Sequence, residues 1–194
     1  MKLTSPQCYK VIRFALEKGE FKQIEVHRAT GVAFSWVNKV VNWMVDHQYA
    51  ARRLGGYKLI APAALAESLA LFRRMEKLAV ASFQVNESEG ELAKLLAQNN
   101  AVLCLTTALG RYDDYFRDPA IHVYGNSKLV EGLKQLPPGR TKITVYDDDL
   151  KQESDFEKDK RMLVTKKTRT IVDLLCSQRS YAADQLIKKM WGRG

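Results

Sequence analysis

Ser35, Trp36, Asn38, Lys39 and Asn42 lie between positions 35 and 42, and Arg52, Arg53, Tyr57 and Lys58 between positions 52 and 58. An asparagine carboxamide can pair with the adenine edge in the major groove of DNA, and a lysine reaches guanine or phosphate. Arginines carried on a turn clamp phosphates or enter the minor groove. A solvated helix face is ordinarily rich in Glu and Lys, whereas this one carries amides, a hydroxyl and one lysine. The chemistry that these residue types suit is recognition of a polyanion, with duplex nucleic acid first.

A second group, Asp147, Asp148 and Asp149, invites a metal reading. Successive strand residues point to opposite faces, so three in a row reach one ion only from a loop. An acidic turn at a strand end is therefore expected, and Asp113-Asp114 meets the same limit. Asp118, Glu157 and Lys158 could serve a nuclease, but residues 151–161 alternate in charge as a solvated segment does. No P-loop, HExxH or Gly-Ser with Asp-x-Asp pattern is present. His27, His47 and His122 are scattered and read as surface or partly packed side chains. Lys166, Lys167 and Arg169 read either as a solvated helix start or as contacts to nucleic acid or a partner. No catalytic residue, metal ligand or cofactor is expected.

The elements that must position these groups follow from apolar spacing. Cys8, Val11, Ile12, Ala15 and Leu16 mark a helix face, with Ser5 as N-cap, Pro6 at the first position and Gly19 at the end. A shorter helix over residues 22–29 should bury Ile24, Val26 and Ala29, before a tight turn at Thr30-Gly31. A third helix over residues 33–47 has the stripe Val37, Val40, Val41, Met44 and Val45, which leaves Ser35, Asn38, Asn42 and Asp46 opposite. Trp36 and Trp43 share one side; Trp43 is expected to pack, and Trp36 to pack or touch a thymine methyl. Residues 49–54 and 57–60 flank Gly55-Gly56 as a hairpin. Three helices and a basic hairpin make a winged helix-turn-helix.

Composition agrees. Hydrophobic residues make up 46% and charged residues 27%, the balance of a globular chain. The net charge is +9, and residues 1–80, with 13 Lys+Arg against 6 Asp+Glu, carry +7 of it. A basic N-terminal part suits nucleic acid. No apolar run reaches the ~20 residues of a membrane span, MKLTSPQCYK has no secretory pattern, and Cys8, Cys104 and Cys176 fit neither a disulfide framework nor a zinc motif. A cytoplasmic protein with free thiols is expected.

The stretch ATGVAFSWVNKVVNWMVDHQYAAR resembles the helix-turn-helix and wing of bacterial and archaeal winged-helix regulators, with Thr30-Gly31-Val32 in the turn. Gln48 stands where that family often has glycine. Pro62 starts a connector helix over residues 62–80, striped by Leu65, Leu69, Phe72 and Met75, which either links domains or pairs with a second copy. From residue 81 a small α/β domain is expected, with helices near 91–98, 106–115, 128–136, 168–176 and 181–191 and strands near 101–105, 121–124, 143–146 and 162–165. The fold class is thus α+β. It comprises a winged helix over residues 1–61, a connector, and an α/β domain over residues 81–194.

The order LTTALGRYDDY, DPAIHVYG and RMLVTKKTRTIVDLLCSQRSYAADQLIKKMWG is similar to the AbiEi-type antitoxin and regulator family. Val172-Asp173-Leu174-Leu175 and Ala183-Asp184-Gln185-Leu186 carry the likeness. The resemblance implies a DNA-binding repressor that regulates its own operon. The expected function is a transcriptional regulator of duplex DNA whose C-terminal domain senses, forms a homodimer or binds a protein partner. Two alternatives stay open: a metal-dependent nucleic-acid-processing enzyme using residues 147–149, and a winged-helix interaction scaffold.

Overall fold

The computed structural model describes residues 3–113 and 116–192, which leaves Asp114 of the Asp113-Asp114 pair outside the described residues. Over the described residues the architecture is mixed α+β with two sheets. Two compact units are formed, one from Met1–Arg73 and Ile187–Gly194, the other from Arg74–Leu186. No described helix is long and apolar enough to cross a membrane.

The first unit begins with α1 (Pro6–Lys18), where the Ser5 hydroxyl accepts from the Cys8 amide and Gly19 closes the helix at φ 71°. Cys8, Val11, Ile12, Ala15 and Leu16 are buried, as their spacing requires. A two-residue strand β1 (Glu20–Phe21) leads into α2 (Gln23–Thr30). Only Val26 of α2 is buried; Ile24 and Ala29 face outward, contrary to the reading of the sequence. An eight-residue helix entered from extended Lys22 and closed by Gly31 shows one narrow stripe to the core. Gly31 at φ 66° makes the turn into α3 (Phe34–Asp46), which buries Val37, Val40, Val41 and Met44 and leaves Val45 half-buried.

Gln48 then adopts φ 60°. Its amide donates to the Val45 carbonyl and the Tyr49 amide to that of Met44, the bonding pattern of a helix closed by a left-handed residue. The backbone thus has the shape that glycine favours, although glycine is absent. Gln48→Gly is expected to raise stability by about 0.5–1 kcal/mol, read as a higher urea midpoint at unchanged slope.

Strands β2 (Ala50–Arg53) and β3 (Gly56–Leu59) form the hairpin, and β1 joins it to give the order β1-β3-β2. Arg53 pairs with Gly56, so the loop is Leu54-Gly55 rather than Gly55-Gly56. Of these two only Gly55 has a positive φ, at 82°, the pattern of a type II turn. Gly56 is needed for a different reason: a Cβ there would stand 2.7 Å from the Phe21 carbonyl oxygen of β1.

The connector helix expected over residues 62–80 is not formed. Helix α4 covers Pro62–Ser68 and passes into 3-10 turns at Leu69–Leu71 and Met75–Leu78. Leu65, Leu69 and Met75 are buried, but Leu71 and Phe72 lie 80% and 57% exposed. Residues Ala79–Val85 are strand β4, because pairing with a later strand overrides the local helical spacing.

The second unit continues with α5 (Glu89–Gln98), β5 (Val102–Leu103), α6 (Leu105–Leu109), β6 (Ile121–Tyr124), α7 (Ser127–Lys134), β7 (Thr141–Tyr146), β8 (Phe156–Asp159), β9 (Met162–Thr165), α8 (Lys167–Leu175) and the start of α9 (Asp184–Trp191). Its sheet runs β4-β7-β6-β5-β9-β8, with β6–β7 and β5–β9 parallel and the other pairs antiparallel. Strand alternation divides its two faces. Val123, Ile143 and Val145 pack with Leu92 and Leu96 of α5 and Leu129 and Leu133 of α7. Full burial of each such leucine contributes roughly 1.5–3 kcal/mol. The other face carries His122, Tyr124, Thr144 and Tyr146, all buried. Residues 151–161, read as solvated, hold a 3-10 turn and β8, whose charged side chains sit on an edge strand.

Arg169 is not a surface contact, as its neighbours Lys166 and Lys167 suggested. It is wholly buried on α8. Its guanidinium donates to Asp173 at 2.9 Å, Asp148 at 2.9 Å and Asp155 at 3.3 Å, and to the Tyr124 hydroxyl at 2.8 Å. It therefore ties α8, the turn after β7, the turn before β8 and strand β6 together.

Candidate nucleic-acid interface

In the first unit, α3 turns its apolar stripe inward and presents Ser35, Asn38 and Lys39 as exposed side chains, with Asn42 half-buried. Ala33 precedes α3 and has no side chain to cap its first turn. The hairpin β2–β3 carries Arg52, Arg53 and Lys58 outward, and Leu54 at its tip is fully exposed. Lys58 pairs with Glu20 at 3.1 Å across the β1–β3 ladder.

A run of hydrogen bonds joins the two. Arg52 Nη2 donates to Asn42 Oδ1 at 3.2 Å, and Asn42 Nδ2 donates to Asn38 Oδ1 at 3.1 Å. Gln23 Nε2, at the start of α2, donates both to Asn38 Oδ1 at 3.0 Å and to the Tyr57 hydroxyl at 3.2 Å. Tyr57 is fixed in turn by stacking on Phe21, ring centroids 5.9 Å apart. Asn38, Asn42, Arg52 and Tyr57 are thereby brought into one network, with Gln23 a member that the sequence did not reveal. Its partners lie 15 and 34 residues away, so no local spacing marks it.

The two tryptophans take different parts. Trp43 packs against His47 and Tyr49, at 4.9 and 5.4 Å between ring centroids. Trp36 lies under the Lys39 ammonium, 5.1 Å from ring centre to Nζ, which holds Lys39 against the helix. Lys39 and Trp36 therefore act as a pair beside the amide network. Arg53 and Ser35 lie exposed on the same segments, outside that network.

The second unit has its own polar centre. His122, read as a surface or partly packed side chain, is 2% exposed. Burial, with Arg179 second, pushes its pKa down to about 4. The ring is therefore neutral, and its 3.7 Å approach to Asp118 is not an ion pair. Tyr146, pushed up to about 12 by burial, keeps its hydroxyl proton and lies 3.1 Å from His122 Nδ1. Burial alone would raise the Asp118 carboxyl, but bonds from the Ala120 amide and Thr106 hydroxyl, and Arg179 at 3.4 Å, hold it below its ordinary value. Between pH 6.5 and about 4 the unfolded chain takes up a proton at His122 that the folded chain refuses. That group's contribution is present above pH 6.5 and is lost by up to about 3 kcal/mol as pH falls. In His122→Gln the urea midpoint should fall less steeply over that window than in the parent.

Of the acidic residues weighed for metal chemistry, Asp148 is bound to Arg169 and Glu157 accepts from the Tyr112 hydroxyl at 2.7 Å. Among the described residues no group of three or more His, Cys, Asp or Glu side chains is arranged to hold a metal ion. A cleft of about 460 Å³ is walled by Leu92, Leu96, Leu103, Ile121 and Met162, with Asp118 and Arg111 on its polar side. No family model, no curated protein and no solved structure matches this chain.

Proposed function

We propose that the protein is a DNA-binding transcriptional regulator whose first unit is a winged helix-turn-helix. Helix α3 enters the major groove, and the β2–β3 hairpin is the wing that follows the backbone beside it. The observation that carries this reading is the bonded run from Arg52 through Asn42 and Asn38 to Gln23 and Tyr57. It locks the polar face of α3 to the hairpin, so that base-reading amides and phosphate-binding cations form one preset surface. The +7 charge of residues 1–80 supplies the sequence-independent attraction.

The second unit serves in sensing, homodimerisation or binding of a protein partner. Its 460 Å³ cleft has the mixed lining that suits a small ligand. The likeness in element order to AbiEi-type regulators supports a repressor of the protein's own operon, in the cytoplasm, without a cofactor or catalytic step of its own.

The test is selection of bound sites from a random duplex library at near-physiological salt. An enriched motif is the expected result, and two inverted half-sites would add a dimer. Retained binding without any enriched motif would overturn sequence reading.

A further inference from the structure

The amide network contains information about which base is read. An asparagine that grips adenine must use both ends of its carboxamide, the oxygen accepting from the N6 amine and the nitrogen donating to N7. A carboxamide oxygen has two acceptor sites and its nitrogen two donor hydrogens. Asn38 Oδ1 already accepts twice, from Gln23 Nε2 at 3.0 Å and from Asn42 Nδ2 at 3.1 Å. Both Gln23 hydrogens are engaged, one on Asn38 and one on Tyr57. Asn38 thus shows an approaching base its two amide hydrogens and no acceptor. Asn42 gives one hydrogen to Asn38 and receives one from Arg52, so it keeps one donor and one acceptor.

We infer that Gln23 is a specificity-determining residue: by saturating the Asn38 carbonyl it makes Asn38 a pure donor that selects guanine and rejects adenine, while Asn42 remains the residue able to pair with adenine. The inference rests on the proposal that α3 reads bases. Guanine fits because its major-groove edge shows two acceptors, O6 and N7. Adenine is rejected because its N6 amine would meet the Asn38 amine donor to donor. Thymine, with O4 as a single acceptor, falls between. Gln23 touches no base in this account; it acts through the orientation of Asn38.

The experiment is the duplex-library selection repeated with the full-length chain and four proteins: the parent, Asn38→Ala, Gln23→Leu and Gln23→Glu. The base position read by Asn38 is the one whose preference disappears in Asn38→Ala. At that position the parent should favour guanine over adenine by about tenfold or more. Gln23→Leu removes one donor, frees one acceptor site on Asn38, and should bring adenine to within about threefold of guanine. Gln23→Glu places a carboxylate where a donor stood and should turn the Asn38 amine inward. The exposed oxygen then favours adenine or cytosine, whose exocyclic amines donate.

Both substitutions lie on an accessible side chain, and thermal melts matching the parent establish that the fold is kept. A parent motif with adenine at the Asn38 position, or a guanine preference unchanged in both Gln23 variants, would overturn the inference while leaving base reading in place. Absence of any parent motif would overturn base reading itself and the inference with it.

Discussion

Arg169→Met is expected to cost the second unit about 3–5 kcal/mol. Methionine approximates the volume of the arginine stem but removes the guanidinium that Asp148, Asp155 and Asp173 share, two of them with fully buried side chains. The loss of one partner from a buried ion cluster is far more damaging than replacement of the whole cluster, because the charges left behind lose the group that offset their burial. Arg169→Lys should recover only part of the loss, since an ammonium cannot reproduce a guanidinium fork that bonds three carboxylates and the Tyr124 hydroxyl at once. Far-UV circular dichroism against urea reads the stability. Hydrogen exchange places it, with faster exchange in β6, β7 and α8. A loss under 1 kcal/mol in Arg169→Met would mean that the cluster adds little to the fold.

The second large effect concerns the β2–β3 hairpin, on the proposal that it follows the DNA backbone. The double variant Arg52→Ala with Arg53→Ala should flatten the dependence of DNA affinity on salt by about two units of log K against log salt. Between 50 and 200 mM salt the parent then loses about tenfold more affinity than the variant does. The loss of phosphate contacts should weaken binding similarly on a selected site and on random duplex, because such contacts carry no sequence information, so any extra loss on the selected site should be confined to the Asn42 position. Arg52 has one further consequence: its bond to Asn42 Oδ1 is removed with it, so some relaxation of preference at the Asn42 position should accompany the weaker binding. Filter binding across a salt series checks both. An unchanged slope would remove the β2–β3 hairpin from the proposed interface.

What the sequence revealed of this architecture is what local rules control. Ser5-Pro6 and Gly19 bound α1, and the stripe of Val37, Val40, Val41 and Met44 orients α3, because caps and helical periods act within a turn or two. The strands at Ile121–Tyr124 and Thr141–Tyr146 alternate visibly. Strand β4 did not, because Leu65, Leu69 and Phe72 continue a helical spacing toward it while its partner β7 lies some sixty residues on. The polar face of α3 was legible for the same local reason. Gln23 was not, since its role exists only once α2, α3 and β3 have come together. A signal for Arg169 was present in TRTIVDLL: an arginine four residues before an aspartate, amid Ile171, Val172 and Leu174, is a charge pair placed on an otherwise apolar helix.

The first unit contains Ile187–Gly194 as well as Met1–Arg73, and the Trp191 indole donates to the Leu16 carbonyl at the end of α1. In chain order, therefore, the second unit is an insertion within the first. During synthesis the ribosome delivers the helices and hairpin early, then all of residues 74–186, and only then the segment that fastens to α1. The unit begun first is completed last, and every nascent chain holds it unfinished while the inserted unit folds. Excision after residue 73 would reproduce that unfinished state permanently. A minimal first unit would have to join residue 73 to residue 187 through a short linker.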